Sequence, residues 1–158
     1  MSIRWLPIAL ALIGVGSGAA GCSVWSEEHL IPQGYVGPVV ILFSVGSIQG
    51  SAQDEEDRGT FVIGADGVLR LHGSGPQDGM VSRKYYYVDS AGNRTEIPSS
   101  GSEGELQVFG VEVGAIPEMD ISWLSYVVGV PGARPDWIKD RAEAVESAIG
   151  KKGVLIPR

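Results

Sequence analysis

From residue 30 onward, short runs of β-branched and aromatic residues are separated by clusters of Gly, Pro, Asn, Asp and Ser. Val39 to Val45 is an almost unbroken apolar run, the pattern of a strand buried on both faces. Thr60 to Ile63 and Val68 to His72 flank the turn Gly64-Ala65-Asp66-Gly67, which predicts a hairpin. Arg83 to Val88 and Arg94 to Ile97 flank Asp89-Ser90-Ala91-Gly92-Asn93, rich in residues that tolerate positive φ, and predict a second hairpin. Glu105 to Val113 alternates, and Ile121 to Val130 is a strand holding Trp123 and Tyr126. About seven short strands with turn signals between them predict a mainly β fold, an antiparallel sandwich or barrel. The pattern then changes period. Ile138, Ala142, Val145 and Ile149 recur at helical spacing, Asp136 and Asp140 suit the positive end of a helix dipole, and Gly150 is a natural stop. The spacing predicts a helix over 136–149 docked on the sheet by that stripe.

The first 21 residues follow another rule. Arg4 precedes the apolar run Leu6 to Val15, and small residues Gly16 to Gly21 follow, the layout of a secretory signal. A spanning helix needs about 20 consecutive apolar residues, and this run decays into Gly-Ser-Gly after roughly ten. The chain's single cysteine, Cys22, stands directly behind Ala19-Ala20-Gly21. This junction resembles the lipobox of bacterial lipoprotein precursors, with Ala19 where Leu is usual. The resemblance implies that the Cys22 thiol is alkylated by a diacylglycerol and the signal removed before it. Ser23 behind it is not an Asp-type retention signal, so the resemblance favours the outer membrane in a host that has two. The chain therefore divides into a signal at 1–21, a tether at 22–29, one domain at 30–150 and a tail at 151–158.

Charge narrows the partners. With 12 Lys and Arg against 19 Asp and Glu, the chain carries a formal charge of −7. Removal of residues 1–21 takes away Arg4 and leaves 11 basic against 19 acidic residues, −8. Nucleic acid is disfavoured, since backbone binding rests on clustered cations. Anionic head groups offer no attraction either, which leaves the acyl chains to do the anchoring.

A second resemblance lies in the domain. The motif I-P-x-G-Y-x-G-P-V-V at Ile31 to Val40, then Y-Y-Y-V-D at Tyr85 to Asp89 and R-T-E-I-P at Arg94 to Pro98, resembles an uncharacterised family of exported bacterial domains. That likeness covers about residues 30–98 and implies no activity.

The chemistry-bearing residues are sparse. His29 and His72 have no H-E-x-x-H spacing and no cysteine partner once Cys22 is lipidated, so no metal or other cofactor is expected. No G-x-S-x-G occurs, and the one G-x-G-x-x-G, Gly16 to Gly21, lies in the signal segment. Asp54-Glu55-Glu56-Asp57 lacks calcium-loop spacing, with Arg58 in the fifth position, and reads as a solvated loop. The carboxylate pairs Glu103 and Glu105, or Glu118 and Asp120, are what a hydrolase would have to use. On the tyrosine strand, alternation puts Arg83, Tyr85 and Tyr87 on one face and Tyr86 with Val88 on the other. The apolar Val88 suggests that its face is the core, leaving Arg83, Tyr85 and Tyr87 outward to stack a sugar or grip a peptide. The expected function is that of a membrane-anchored accessory lipoprotein with a binding or structural role toward an envelope protein or glycan. A carbohydrate-binding module is the alternative, and catalysis is less favoured.

Overall fold

The computed structural model describes residues 25–44, 59–73, 75–76, 80–102 and 104–150. Residues 1–24, with the signal segment and Cys22, lie outside them, as do the Asp54–Asp57 run, Glu103 and the 151–158 tail.

Eight strands form two four-stranded sheets, and one helix closes the chain: β1 Trp25–Pro32, β2 Gly37–Ser44, β3 Thr60–Val62, β4 Val68–His72, β5 Val81–Val88, β6 Arg94–Ile97, β7 Gln107–Ile116, β8 Ile121–Gly129 and α1 Trp137–Ile149. The first sheet has the order β3-β1-β5-β6 and the second β4-β2-β8-β7. The fold is a mainly β sandwich, not a closed barrel, with one C-terminal helix.

The apolar run of β2 explains the layering. Val39, Ile41 and Phe43 enter the core between the sheets, beside Ile31, Phe61, Leu69, Leu124 and Val128. The alternate residues Val40 and Leu42 point to the opposite side, where they pack with Ile121 and Trp123 against Val145 of α1. A strand with a sheet on one side and a helix on the other has no solvent face, hence no polar alternation.

The predicted hairpin over 60–72 does not form. The Gly64–Gly67 turn is present, closed by a 2.9 Å bond from the Gly67 amide to the Gly64 carbonyl. It carries the chain from one sheet to the other, because β3 pairs with β1 and β4 pairs with β2, both in parallel. The β1-to-β2 connection makes the same crossing, so two strand-turn-strand arches stack side by side. Tyr35 ties the stack together. Its hydroxyl donates to the Pro38 carbonyl at 2.5 Å, and its own carbonyl accepts from the Tyr87 hydroxyl at 2.6 Å. Gly67, at φ +77°, lies so close to Tyr35 that a Cβ there would collide with its ring and hydroxyl. The second predicted hairpin is present: β5 and β6 pair antiparallel from Tyr85↔Ile97 to Val88↔Arg94. The Asp89 carboxylate holds its turn, accepting from the Ala91 and Asn93 amides at 2.9 Å each.

The helix forms one residue later than its predicted start, and Gly150 caps it at φ 78° as expected. Its buried stripe is rotated. Trp137 takes the buried position, edge-on to Phe109 at 6.1 Å and over Gly129, and Ala144, Val145, Ala148 and Ile149 continue the contact. Ile138 is thereby turned outward and is 76% exposed, while Val145 is 1% exposed. The larger ring claimed the site that helical spacing alone assigned to Ile138.

Two comparisons test this arrangement by urea denaturation. Gly67→Ala should cost about 2–4 kcal/mol, combining left-handed strain with collision against Tyr35. Gly92→Ala, at φ +84° with open space around it, should cost only about 1 kcal/mol. Equal losses would mean that Tyr35 does not support the arch. In the helix, Val145→Asp should cost roughly 3 kcal/mol or more and Ile138→Asp less than about 0.5; comparable losses at both positions would return the docking stripe to its sequence-derived position.

Candidate functional site

The polar chemistry of the described residues gathers between the sheets, on β1. This strand begins five residues before the expected domain start, and Trp25 to His29, assigned to a tether from sequence, belong to it. Its inward residues are Glu27, His29 and Ile31, with Glu27 at 3% and His29 at 0% exposure. The parallel register with β5 sets Glu27 opposite Arg83 and His29 opposite Tyr85. Arg83 Nε donates to Glu27 Oε2 at 2.7 Å. On the other side of that carboxylate, His29 Nε2 lies 3.6 Å from Oε2, beyond hydrogen-bond length but close in charge. His29 Nδ1 meets the hydroxyl of Tyr126, on β8 of the opposite sheet, at 3.1 Å. Arg83, Glu27, His29 and Tyr126 thus form a polar chain across the sandwich. Aromatic rings enclose it: Phe61, Tyr85 and Tyr126 stand 5.0, 4.9 and 5.4 Å from the imidazole centroid.

The partners assign the tautomer. A carboxylate only accepts, so the imidazole proton belongs on Nε2, toward Glu27, and Nδ1 accepts from the Tyr126 hydroxyl. Burial lowers the pKa of His29, and the nearby Glu27 charge does not offset it. Burial acts to raise Glu27, but the contact with His29 and the Arg83 charge outweigh it and hold the carboxyl below its ordinary range. Burial pushes Tyr85 up to about 12 and Tyr126 well above the usual phenol value, so both remain donors.

The tyrosine faces are the reverse of the sequence expectation. Tyr85 and Tyr87 are core residues, and Arg83 points inward with them. Tyr86 and Val88 lie on the outer face, where Arg94 passes 6.0 Å from the Tyr86 ring and reaches Glu28 at 2.8 Å. The Tyr87 phenol donates inside to Tyr35 O, and the burial of both rings removes the outward Arg83–Tyr85–Tyr87 platform. His72 is exposed at the end of β4, far in sequence and environment from His29. Glu105 is occupied locally, accepting from the Ser102 amide at 3.1 Å. Among the described residues, no three His, Cys, Asp or Glu side chains cluster as metal ligands. Sequence reasoning weighs His29 only as a metal ligand and misses Glu27 and Tyr126 as its partners; the E-x-H spacing of β1, matched by R-x-Y at Arg83 and Tyr85, is the alternating signal that marks them.

With His29 fully buried, this chain of groups bears on the stability of the fold. The sign of its pH dependence follows. Between the lowered pKa of His29 and its ordinary value near 6.5, the unfolded chain binds more protons than the folded one, so stability falls as pH drops below about 6.5. Glu27 adds loss in the same direction below its ordinary 4.5. Denaturation midpoints should decline from pH 7 to pH 5 in the parent and flatten in His29→Gln; a parent midpoint that rises toward pH 5 would contradict the arrangement. At pH 7, Glu27→Gln should cost about 2–3 kcal/mol by stranding Arg83 and His29, against less than about 0.5 kcal/mol for Glu28→Gln at the exposed pair.

The fold is similar to one crystal structure in particular, a candidate lipoprotein from Bacillus anthracis. The two align with a TM-score of 0.50 and 17% identity, over 86% of this chain and 83% of that one. A search of curated proteins finds no match. The matching family model spans residues 25–119, from the first residue of β1 through β7 to the short turn Pro117–Met119. That span contains both arches and the Arg83–Glu27–His29 contact, and on it the chain belongs to DUF6843, a family of unknown function.

Proposed function

We propose that this protein is a lipid-anchored accessory module of a bacterial envelope, held to its membrane through Cys22 and acting by binding or by structure. The position of Cys22 carries the reading: it is the chain's single cysteine, it follows Ala19-Ala20-Gly21, and it precedes the first residue of β1 by three positions. Three residues span at most about 10 Å, so lipidation there would hold the sandwich against the bilayer. The Bacillus anthracis structure of similar fold, itself a candidate lipoprotein, supports the reading. Among the described residues no helix is long and apolar enough to cross a membrane, so a membrane role for them would come from the anchor.

The physical requirement is met by two acyl chains. One chain binds reversibly, with about 0.8 kcal/mol per buried CH₂, whereas a diacylglycerol supplies the second hydrophobic signal that makes attachment stable. A binding or structural role is supported by the use of the core groups: Arg83 bonds Glu27 and His29 bonds Tyr126 between the sheets, with the Glu27 carboxylate 3.6 Å from His29 Nε2.

The test is expression of the full precursor in a bacterial host with metabolic labelling by a radioactive fatty acid. The parent should incorporate label, migrate as a processed form and require detergent for release from membranes. Cys22→Ser should lose the label and accumulate as precursor or appear in the soluble fraction. Recovery of Cys22→Ser in membranes, cut at the same site, would contradict the anchor.

A further inference from the structure

The ends of the sandwich differ. One end carries the two arches, at residues 33–36 and 64–67. The other carries the start of β1 and, because β5 runs parallel to it, the start of β5 as well. The two starts are joined: the Trp25 amide donates to the Met80 carbonyl at 3.0 Å. Here the chain exposes two large apolar side chains next to each other in the pairing, Trp25 at 44% and Met80 at 64%. Neither has a place in the core clusters. The neighbouring outward positions Ser26 and Ser82 are small and uncharged, and the first charged pair inward, Glu27 with Arg83, is internally neutralised.

We propose that this end of the sandwich is a membrane contact, with Trp25 and Met80 seated in the head-group region of the bilayer that holds Cys22. The inference rests on the lipid anchor proposed above and adds an orientation to it. The length of chain before β1 selects the occupant. Only Ser23 and Val24 separate Cys22 from Trp25, a reach of at most about 10 Å, so a diacylglycerol on Cys22 brings Trp25 to the interface whichever way the tether lies. Trp is suited to that depth, since its ring is apolar and its N–H keeps a polar partner, and Met adapts to an irregular surface. The protein's negative charge excludes attraction to anionic lipid, so the contact is apolar and works on a zwitterionic surface. With β1 rising about 3.3 Å per residue over eight residues, the arches are carried about 25 Å away from the lipid. The surface free to meet a partner is then the arch end and not the β1 start.

The chain's tryptophans make the test direct. Trp5 leaves with the signal segment, and Trp123 and Trp137 are buried, which leaves Trp25 as the exposed ring of the mature chain's three. The lipidated, processed protein is purified in detergent and reconstituted into phosphatidylcholine vesicles, with or without lipids brominated near the glycerol end of the acyl chains. Flotation is measured first, then tryptophan emission. The expected result is co-flotation, with brominated lipid quenching the emission strongly in the parent and at least two-fold less in Trp25→Phe, which floats equally well and has an unchanged urea midpoint. Met80→Gln should float and show a smaller quenching of Trp25. Flotation with equal quenching in parent and Trp25→Phe, or with no quenching at all, would overturn the orientation while leaving the anchor in place. Failure of the processed protein to float would overturn the anchor and the contact together.

Discussion

A carboxylate buried between two sheets must find its counter-charge there, and much of this structure follows from that requirement. Glu27 is enclosed, and leaving it unpaired would cost several kcal/mol. Arg83 meets it because β1 and β5 pair in parallel with those two residues opposite. A slip of one residue would turn Ser26, Glu28 and Leu30 inward and send Glu27 and His29 to solvent. The pair therefore specifies register, a role that an apolar contact at the same place would fill with less discrimination. His29 extends the specification to the second sheet through Tyr126, so the same chain of groups positions strands within one layer and aligns one layer with the other.

The motifs that suggested a family have a physical account in the arches. Gly34 takes φ +78° in the first turn, Tyr35 lies beneath both turns, and Pro38 accepts its hydroxyl. Tyr87, the last of the three consecutive tyrosines, donates to the Tyr35 carbonyl, which joins the first motif to the second across 52 positions. Asp89 and Gly92 then shape the turn into β6. These residues close the sandwich at its arch end, so the shared pattern is one of architecture.

What could be read from the chain alone depended on whether local pattern and burial agreed. They agree in β2, β8 and the β5–β6 hairpin, whose apolar runs and turn residues place them within a residue or two. They disagree in β1, whose inward positions are Glu27 and His29, so its alternation looks like a polar tether followed by turns. Turn chemistry marked Gly64–Gly67 correctly but cannot say whether the next strand stays in the same sheet; the parallel pairing of β3 and β4 is a long-range outcome. In the sequence, the apolar Val88 points to its own face as the core and so leaves Tyr85 and Tyr87 outside. They are inside because Tyr35 and the aromatic cluster around His29 receive them, and the less polar Val88 is left on the face that Arg94 and Glu28 partly cover. The candidate site was thus legible as residues, Arg83 and its tyrosines, but not as a face. The lipid attachment reading concerns residues 1–22, where position along the chain and not packing is the signal.

The account's central claim is that His29 is a neutral core group with its proton on Nε2, fixed between Glu27 and Tyr126. Imidazole ¹⁵N chemical shifts of the folded protein, followed from pH 8 to pH 5 and compared with the chain in urea, measure this directly. The account predicts a protonated Nε2 and an unprotonated, hydrogen-bonded Nδ1 that persist through pH 6.5, where the unfolded imidazole is half charged. Titration of His29 at the same pH in the folded and unfolded chains, or a proton resident on Nδ1 with Nε2 bare, would contradict it.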